Sequence, residues 1–256
     1  MVYFGSTAAV FNGSVPLRNV RDDTPYPKTH VDHYGHSKAV AEQEVVQAHS
    51  PDTGLLTCVL RPNGIYGENE VIHIPRVVRM SRLFFNCLPV YFDRSHLSDW
   101  TFVDNLTFAS FLAAEALLDR SGPAGGSVYN ITDGEPIGYI DFFRPMIEAC
   151  GITVIPLLYI PFFVLYPFAF LFELVCHLLR PLIRLNPPVT RMETIKIGIT
   201  HYFNIQKATK ELGYYPIVSL RAGLDRTSAW FREHAREYNP GAKLPPKKET
   251  RFHTTS

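Results

Sequence analysis

The four cysteines form no C-x-x-C pair: Cys58, Cys87, Cys150 and Cys176 stand far apart, each among apolar neighbours. That spacing argues against a zinc knuckle or a disulfide frame and for reduced, buried thiols in a cytosolic compartment. No metal-ligating cluster is visible. An excess of charge is missing too. The 25 Lys and Arg stand against 24 Asp and Glu, mixed along the chain, for a net charge of +1. There is therefore no basic stripe of the kind that binds nucleic acid. A secretory signal is absent from "MVYFGSTAAVFNG", which has no basic start and an apolar run broken by Gly5, Ser6 and Thr7. No internal repeat is visible. What the 256 residues do have is 46% hydrophobic and 19% charged content, the balance of a folded globular chain.

Patterning then gives the elements. Val2-Tyr3-Phe4 reads as a buried strand running into a loop, with almost nothing ahead of it, an unusual place for a domain to start. A proline-bearing loop over 22–30 precedes a helix predicted over 34–49, with apolar Ala39, Val40, Ala41, Val45 and Val46. "PDTG" is a turn, and "LLTCVLRP", residues 55–62, reads as a strand buried on both faces. Strand, helix, strand in this order is the crossover unit of a parallel sheet, so the fold class is α/β. Sites of such sheets form at the C-terminal strand ends, where Ser6, Thr7 and Asn63 fall. A helix is predicted around 75–86, then short strands. The chain closes on a helix, a Gly-Tyr turn and an amphipathic helix with Leu220, Leu224, Trp230 and Phe231 inward. Residues 239–256 read as a disordered polar tail.

The helix at 34–49 opens with "HYGHSK", placing Tyr34 and Lys38 one turn apart. Composition alone yields about 0.4 such Y-x-x-x-K matches, so the pair by itself is equally a solvated i,i+4 contact. Order changes its weight. A hydroxyl-rich strand end, then Y-x-x-x-K, then a strand ending "LRPNGIYG" would set Thr7, Tyr34, Lys38 and Asn63 around one crevice.

Six ordered motifs together resemble the extended short-chain dehydrogenase/reductases, and most closely their 3β-hydroxysteroid (sterol) dehydrogenase branch. They are "VYFGSTAAVFNG", "HYGHSK", "LRPNGIYG", "DWTFVDNLTFASFLAAEAL", "VYNITDGEPIGYIDFF" and "FNIQKATKELGYYP". The resemblance implies the C-terminal part of an NAD(P)-binding Rossmann-type parallel sheet with a smaller mixed α/β substrate lobe. Residues 1–66 would be partial Rossmann domain and 67–238 mainly substrate lobe with interleaved Rossmann elements. It implies an NAD(P)-dependent oxidoreductase, NAD favoured, acting on a sterol-like secondary alcohol. Tyr34 would be the general acid/base, Lys38 would favour the phenolate and hold the nicotinamide ribose, and Thr7 would hydrogen-bond the substrate oxygen. Pro62, Asn63, Gly64 and Ile65 would face the nicotinamide. A homodimer is left open.

The sequence also departs from the family. No G-x-x-G-x-x-G turn occurs, and that turn is what cradles a dinucleotide pyrophosphate at a helix N-terminus. The chain therefore resembles the C-terminal two thirds of such an enzyme. A second reading stands beside the first: a catalytically silent, membrane-associated protein that binds a lipid or a partner.

The apolar segment 152–185 is the other departure from an ordinary soluble chain. Ile155 to Phe172 carries no charge, yet Pro156, Pro161 and Pro167 argue against a straight span. The expectation is a monotopic segment in the bilayer interface at the mouth of the site, on the cytoplasmic face of the endoplasmic reticulum as the resemblance implies. A spanning helix and a soluble substrate lid are the alternatives. Arg76 and Asp104 could be ligand contacts, and Asp104 reads equally as a helix cap. His73 and Arg76 are assigned no role.

Overall fold

The computed structural model describes residues 1–83, 85–89, 95–155, 161–180, 183, 187 and 190–240. Strand β1 (Val2–Phe4) leads through a 3₁₀ turn (Thr7–Ala9) and strand β2 (Leu17–Val20) to helix α1 (His33–Gln47). Helix α1 starts where Asp32 Oδ1 accepts from the Gly35 N–H at 2.8 Å, a side-chain N-cap. Strand β3 (Cys58–Pro62) follows, buried at all five residues as the apolar run predicts. It begins later than Leu55, because Leu55 instead bridges Ser50 to close the turn between helix and strand. Next come β4 (Ile65–Tyr66), α2 (His73–Leu83), β5 (Cys87–Pro89), β6 (Leu97–Ser98) and β7 (Thr101–Phe102).

Helix α3 (Val103–Ala116) corrects one expectation. Its N-cap position is Phe102, not Asp104, which lies inside the first turn and bonds Arg226 Nη1 at 2.7 Å. The buried Asp133 carboxylate does the capping from outside the helix, accepting from Phe102 N–H at 2.9 Å and from Asn105 Nδ2 at 2.7 Å. Then follow β8 (Val128–Ile131), β9 (Ile137–Gly138), α4 (Tyr139–Ala149), β10 (Thr153–Ile155) and α5 (Phe162–Leu179). The chain closes with α6 (Arg191–Gly198), β11 (His201–Phe203), α7 (Gln206–Leu212), α8 (Leu220–Glu233) and α9 (Ala235–Tyr238). Of the expected tail over 239–256, residues 241–256 lie outside the described residues, as does Pro156.

Strands β1, β3 and β8 form an all-parallel sheet in that order, with Tyr3 opposite Val59 and Leu60 opposite Tyr129. Its faces are covered by helices, the normal state of parallel strands. One core gathers Leu60, Leu106, Ala109, Tyr129, Ile131 and Tyr214 around the sheet. A second sheet, in order β2-β11-β6-β9, brings the chain's start against residues about two hundred positions later. Beside it a second core forms around Trp100, which stacks on Phe142 at 3.6 Å, with Phe102, Phe143, Met146 and Phe231. In α8, Leu220 and Phe231 are buried, and Leu224 and Trp230 pack against that core. All four cysteines are free thiols.

Candidate functional site

The site is built where β1 and β3 end. After Phe4 the chain turns at Gly5 and Ser6 into the 3₁₀ turn, whose second N–H is held by Ser6 Oγ, accepting from Ala8 at 3.2 Å. The start of α1 presses directly on this turn. A Cβ at position 35 would lie 2.8 Å from the Ala8 carbonyl oxygen, so the glycine between Tyr34 and His36 allows the approach. This is how the chain seats Tyr34 beside the hydroxyl pair.

All seven residues expected from the sequence line one cleft of about 450 Å³: Thr7, Tyr34, Lys38, Pro62, Asn63, Gly64 and Ile65. Their internal geometry differs from a simple pairing of phenol with ammonium. Lys38 Nζ donates to the Phe4 carbonyl at 3.0 Å and lies 5.2 Å from the centre of the Tyr3 ring. Tyr34 is half-exposed, with its ring in the cleft.

Thr7 is buried, and its Oγ1 donates to Asn63 Oδ1 at 2.8 Å. The direction is fixed by the other end of the amide: Asn63 Nδ2 donates to the Asp99 carbonyl at 2.6 Å, which turns Oδ1 toward the threonine. Thr7 has only one hydroxyl proton, so its cleft-facing lone pairs can accept and not donate. Ser6 keeps its proton, because its bond to Ala8 N–H uses only a lone pair.

Part of the cleft wall is formed by residues that no sequence motif marks. Burial pushes the Glu70 carboxyl up, but the His73 ring and the N–H groups of Ile74, His73 and Ile72 outweigh it, holding it below the usual range. His201 is pushed down to about 4 by burial, so the ring is neutral. Its Nδ1 faces the Ile199 carbonyl at 2.8 Å and therefore bears the hydrogen, leaving Nε2 to accept from Ser98 Oγ at 2.9 Å. Lys196 also lines this wall, its ammonium shifted down by burial. A lysine behind a capping box, a buried histidine and a helix-capping glutamate have no recognisable spacing, which is why the sequence leaves them unmarked. A larger cleft of about 570 Å³, lined by Arg21, Asp23, Lys207, Lys210 and Glu211 among others, contains none of the expected residues.

Residues 1–158 match the 3-beta hydroxysteroid dehydrogenase/isomerase family. The chain belongs to that family. It is 39% identical over 252 residues to the human short-chain dehydrogenase/reductase family 42E member 1, an alignment covering 95% of this chain and 62% of that protein. To the mouse sterol-4-alpha-carboxylate 3-dehydrogenase (decarboxylating) it is 30% identical over 230 residues, covering 89% and 62% respectively. The chain thus spans less than two thirds of the length of these curated relatives. Among solved structures, UDP-glucuronic acid 4-epimerase from Bacillus cereus in complex with NAD superposes with a TM-score of 0.60 at 17% identity, over 91% of this chain and 61% of that one. The dTDP-glucose 4,6-dehydratase from Bacillus anthracis in complex with NAD gives 0.59 at 19% identity, over 93% and 63%. These two share the fold, and the family member's parallel β1-β3-β8 sheet is accordingly Rossmann-type.

Proposed function

We propose that the protein carrying this chain is an NAD(P)-dependent oxidoreductase of a sterol-like secondary alcohol, with Tyr34 as its general acid/base. One observation supports this above the others: a single cleft at the C-terminal ends of two parallel strands gathers Ser6, Thr7, Tyr34, Lys38 and residues 62–65. The names of the sterol dehydrogenase relatives point the same way. A nicotinamide cofactor, if held there by Lys38, Tyr34 and residues 62–65, would supply the hydride acceptor. The donor set suits the ribose of that cofactor: Lys38 uses one N–H on Phe4, which leaves two for ribose hydroxyls, and Tyr34 lines the same cleft. Tyr34 removes the alcohol proton, and the Ser6 hydroxyl donates a hydrogen bond to the same substrate oxygen while keeping its proton. Thr7 and Asn63 hold the turn that presents Ser6.

The apolar helix α5 suits a lipophilic substrate. It has 18 residues, a mean hydropathy of 2.0, and 6% of it buried, so by length and composition it could cross a membrane. Its polar ties favour an interfacial position. Glu173 accepts from Arg191 Nε at 2.6 Å, and Phe162 packs so closely on α6 that a Cβ on Gly198 would lie 2.5 Å from it. A helix fastened along one side to α6 rests in the headgroup region more readily than it spans.

The competing reading is a catalytically silent lipid-binding protein, which would use the exposed apolar face of α5. The deciding test is NADH formation from a panel of 3β-hydroxysterols by the full-length protein, compared with its Tyr34→Phe variant. Turnover is expected to fall by about 10² or more, with sterol binding nearly unchanged. Full activity in the variant would remove Tyr34 from the mechanism, and no activity in either protein would favour the silent protein.

A further inference from the structure

Helix α2 is cationic and amphipathic. Ile74 and Val78 turn into the core, Arg76, Arg79 and Arg82 are exposed, and its 11 residues include no Asp or Glu. Arg76 is committed: Nε is bridged to Glu193 Oε1 at 3.0 Å, and Nη2 donates to the Pro187 carbonyl at 3.3 Å. Arg79 and Arg82, neighbours at i,i+3 on the outer face, make no hydrogen bond or ion pair with the described residues.

Both ends of this helix hold apolar side chains out in solvent. Val71 and Ile72, just before it, are 64% and 70% exposed, and Phe85, just after it, is 94% exposed. The turn that presents Phe85 is strained, because Phe85 (φ 57°) and Asn86 (φ 61°) both lie in the left-handed region that bulky side chains avoid. It is held from the inner side, where the Asn86 carbonyl accepts from the Thr153 N–H at 2.9 Å and β5 pairs with β10. Water gives a bare Phe85 nothing that offsets the strain.

Two ties connect α2 to the apolar helix α5 and to the cleft. Arg76 fastens α2 to α6 through Glu193, and α6 is fastened to α5 through Arg191 and Glu173. At the other end, Ile72 and His73 line the cleft, so the arginine helix starts at its rim.

We propose that α2 is a second membrane-contact element, in which Arg79 and Arg82 meet the phosphates of anionic phospholipids and Phe85 enters the acyl boundary beside them. The partner is a bilayer of net negative charge, such as cytoplasmic leaflets present. Unpaired guanidiniums flanked by bare apolar side chains suit a charged interface with hydrocarbon beneath it. This rests on the membrane-contact reading of α5 and adds to it. Helix α5 supplies most of the apolar burial, while α2 makes binding depend on lipid charge and sets the cleft rim at Ile72 against the bilayer, where a lipophilic substrate is dissolved.

The test is flotation of the full-length protein, exchanged out of detergent, with vesicles of phosphatidylcholine alone and of phosphatidylcholine mixed with phosphatidylserine. Wild type is expected to bind the mixed vesicles roughly tenfold or more tighter. Most of that gain should disappear in about 1 M salt. Arg79→Gln combined with Arg82→Gln should abolish the gain and leave binding to the neutral vesicles unchanged, and the corresponding Lys pair should keep it. Phe85→Ser should weaken binding to both kinds of vesicle by roughly tenfold. Thermal melting checks that each variant is folded. Equal wild-type binding to both vesicles, a preference that survives the double Gln variant, or a Phe85→Ser protein that binds as wild type overturns the proposal. Failure of the α5 reading looks different: Gln at Phe163, Phe168 and Leu171 leaves binding intact while the arginine variant loses it. A wild type that binds neither vesicle removes both.

Discussion

Arg61 is a charge placed in the middle of a buried strand, and it is tolerated there because every side of it is met. Its exposure is 2% and that of Glu42 is 0%; Nε lies 2.9 Å from Glu42 Oε2, and Nη1 reaches the Asp22 carbonyl at 3.0 Å. Tyr26 adds a 2.6 Å bond to the same carboxylate, and burial followed by that acceptor pushes its phenol up to about 12. Asp99 is the opposite case. Burial pushes its carboxyl up to about 7, against the pull of the Phe203 N–H and the nearby Thr132, and Oδ1 has no hydrogen-bond partner among the described residues. The folded state thus holds a proton that the unfolded chain has lost, so stability falls as pH rises from about 4 through about 7. Asp99→Asn should flatten that slope and raise stability at pH 8 by about 1–3 kcal/mol, as read by urea unfolding at pH 5 and pH 8. An unchanged slope would mean that another group titrates. Proton direction also separates the two hydroxyls of the site. Ser6→Ala should lower turnover about 10-fold or more, and Thr7→Ala less, because only Ser6 has a proton to give. Steady-state kinetics on both variants would decide, and a larger loss in the Thr7 variant would reverse the assignment. The motif order marked seven of the residues that line the cleft, and the resemblance implied the substrate bond for Thr7, where the proposal here gives it to Ser6. Where a hydroxyl proton points depends on Asn63 and the Asp99 carbonyl, residues far apart in the chain, and no spacing records that.

At the scale of elements, the long and strongly patterned ones were legible and the short ones were not. Helix α1 and strand β3 lie within a few residues of their predicted limits, because Asp32 and a continuous apolar run declare them. Of its apolar residues Ala39 is buried, beside Glu42, whereas Val40 is exposed. Strands β2, β6, β9 and β11 have two to four residues each, too few for alternation to show, and they pair across most of the chain. Helix α5 was legible as an apolar run, but that only Ala169 of it is buried was not, since composition cannot tell a core helix from a surface one. That exposure gives a prediction. Phe163, Phe168, Leu171 and Leu178 are exposed and lie outside the contact that Phe162 makes with Gly198. Changing these four to Gln should release the protein from liposomes in a flotation assay while leaving its melting temperature within a few degrees. A variant that still floats would move membrane contact elsewhere, and a wild type that never floats would make α5 a soluble lid.

For the whole molecule, the fold class followed from one strand-helix-strand unit, since a short link between parallel strands needs a crossover and a crossover covers the sheet. The parallel β1-β3-β8 order agrees, and β1 pairs only with β3 among the described residues. The molecule is uneven in what it offers a dinucleotide. In the proposed reading Lys38, Tyr34 and residues 62–65 would face the ribose and ring of a nicotinamide, whereas these 256 residues hold no glycine-rich turn for the pyrophosphate. A half-site loses affinity disproportionately, because ordering the ligand costs nearly the same however few contacts it makes. The 256-residue chain alone should therefore bind NAD⁺ with a Kd above about 1 mM in titration calorimetry. Micromolar binding would require another set of cations to hold the phosphates. The larger cleft of Arg21, Lys207 and Lys210 is then the place to look, and Lys207→Ala together with Lys210→Ala would abolish such binding while Lys38→Met would only weaken it.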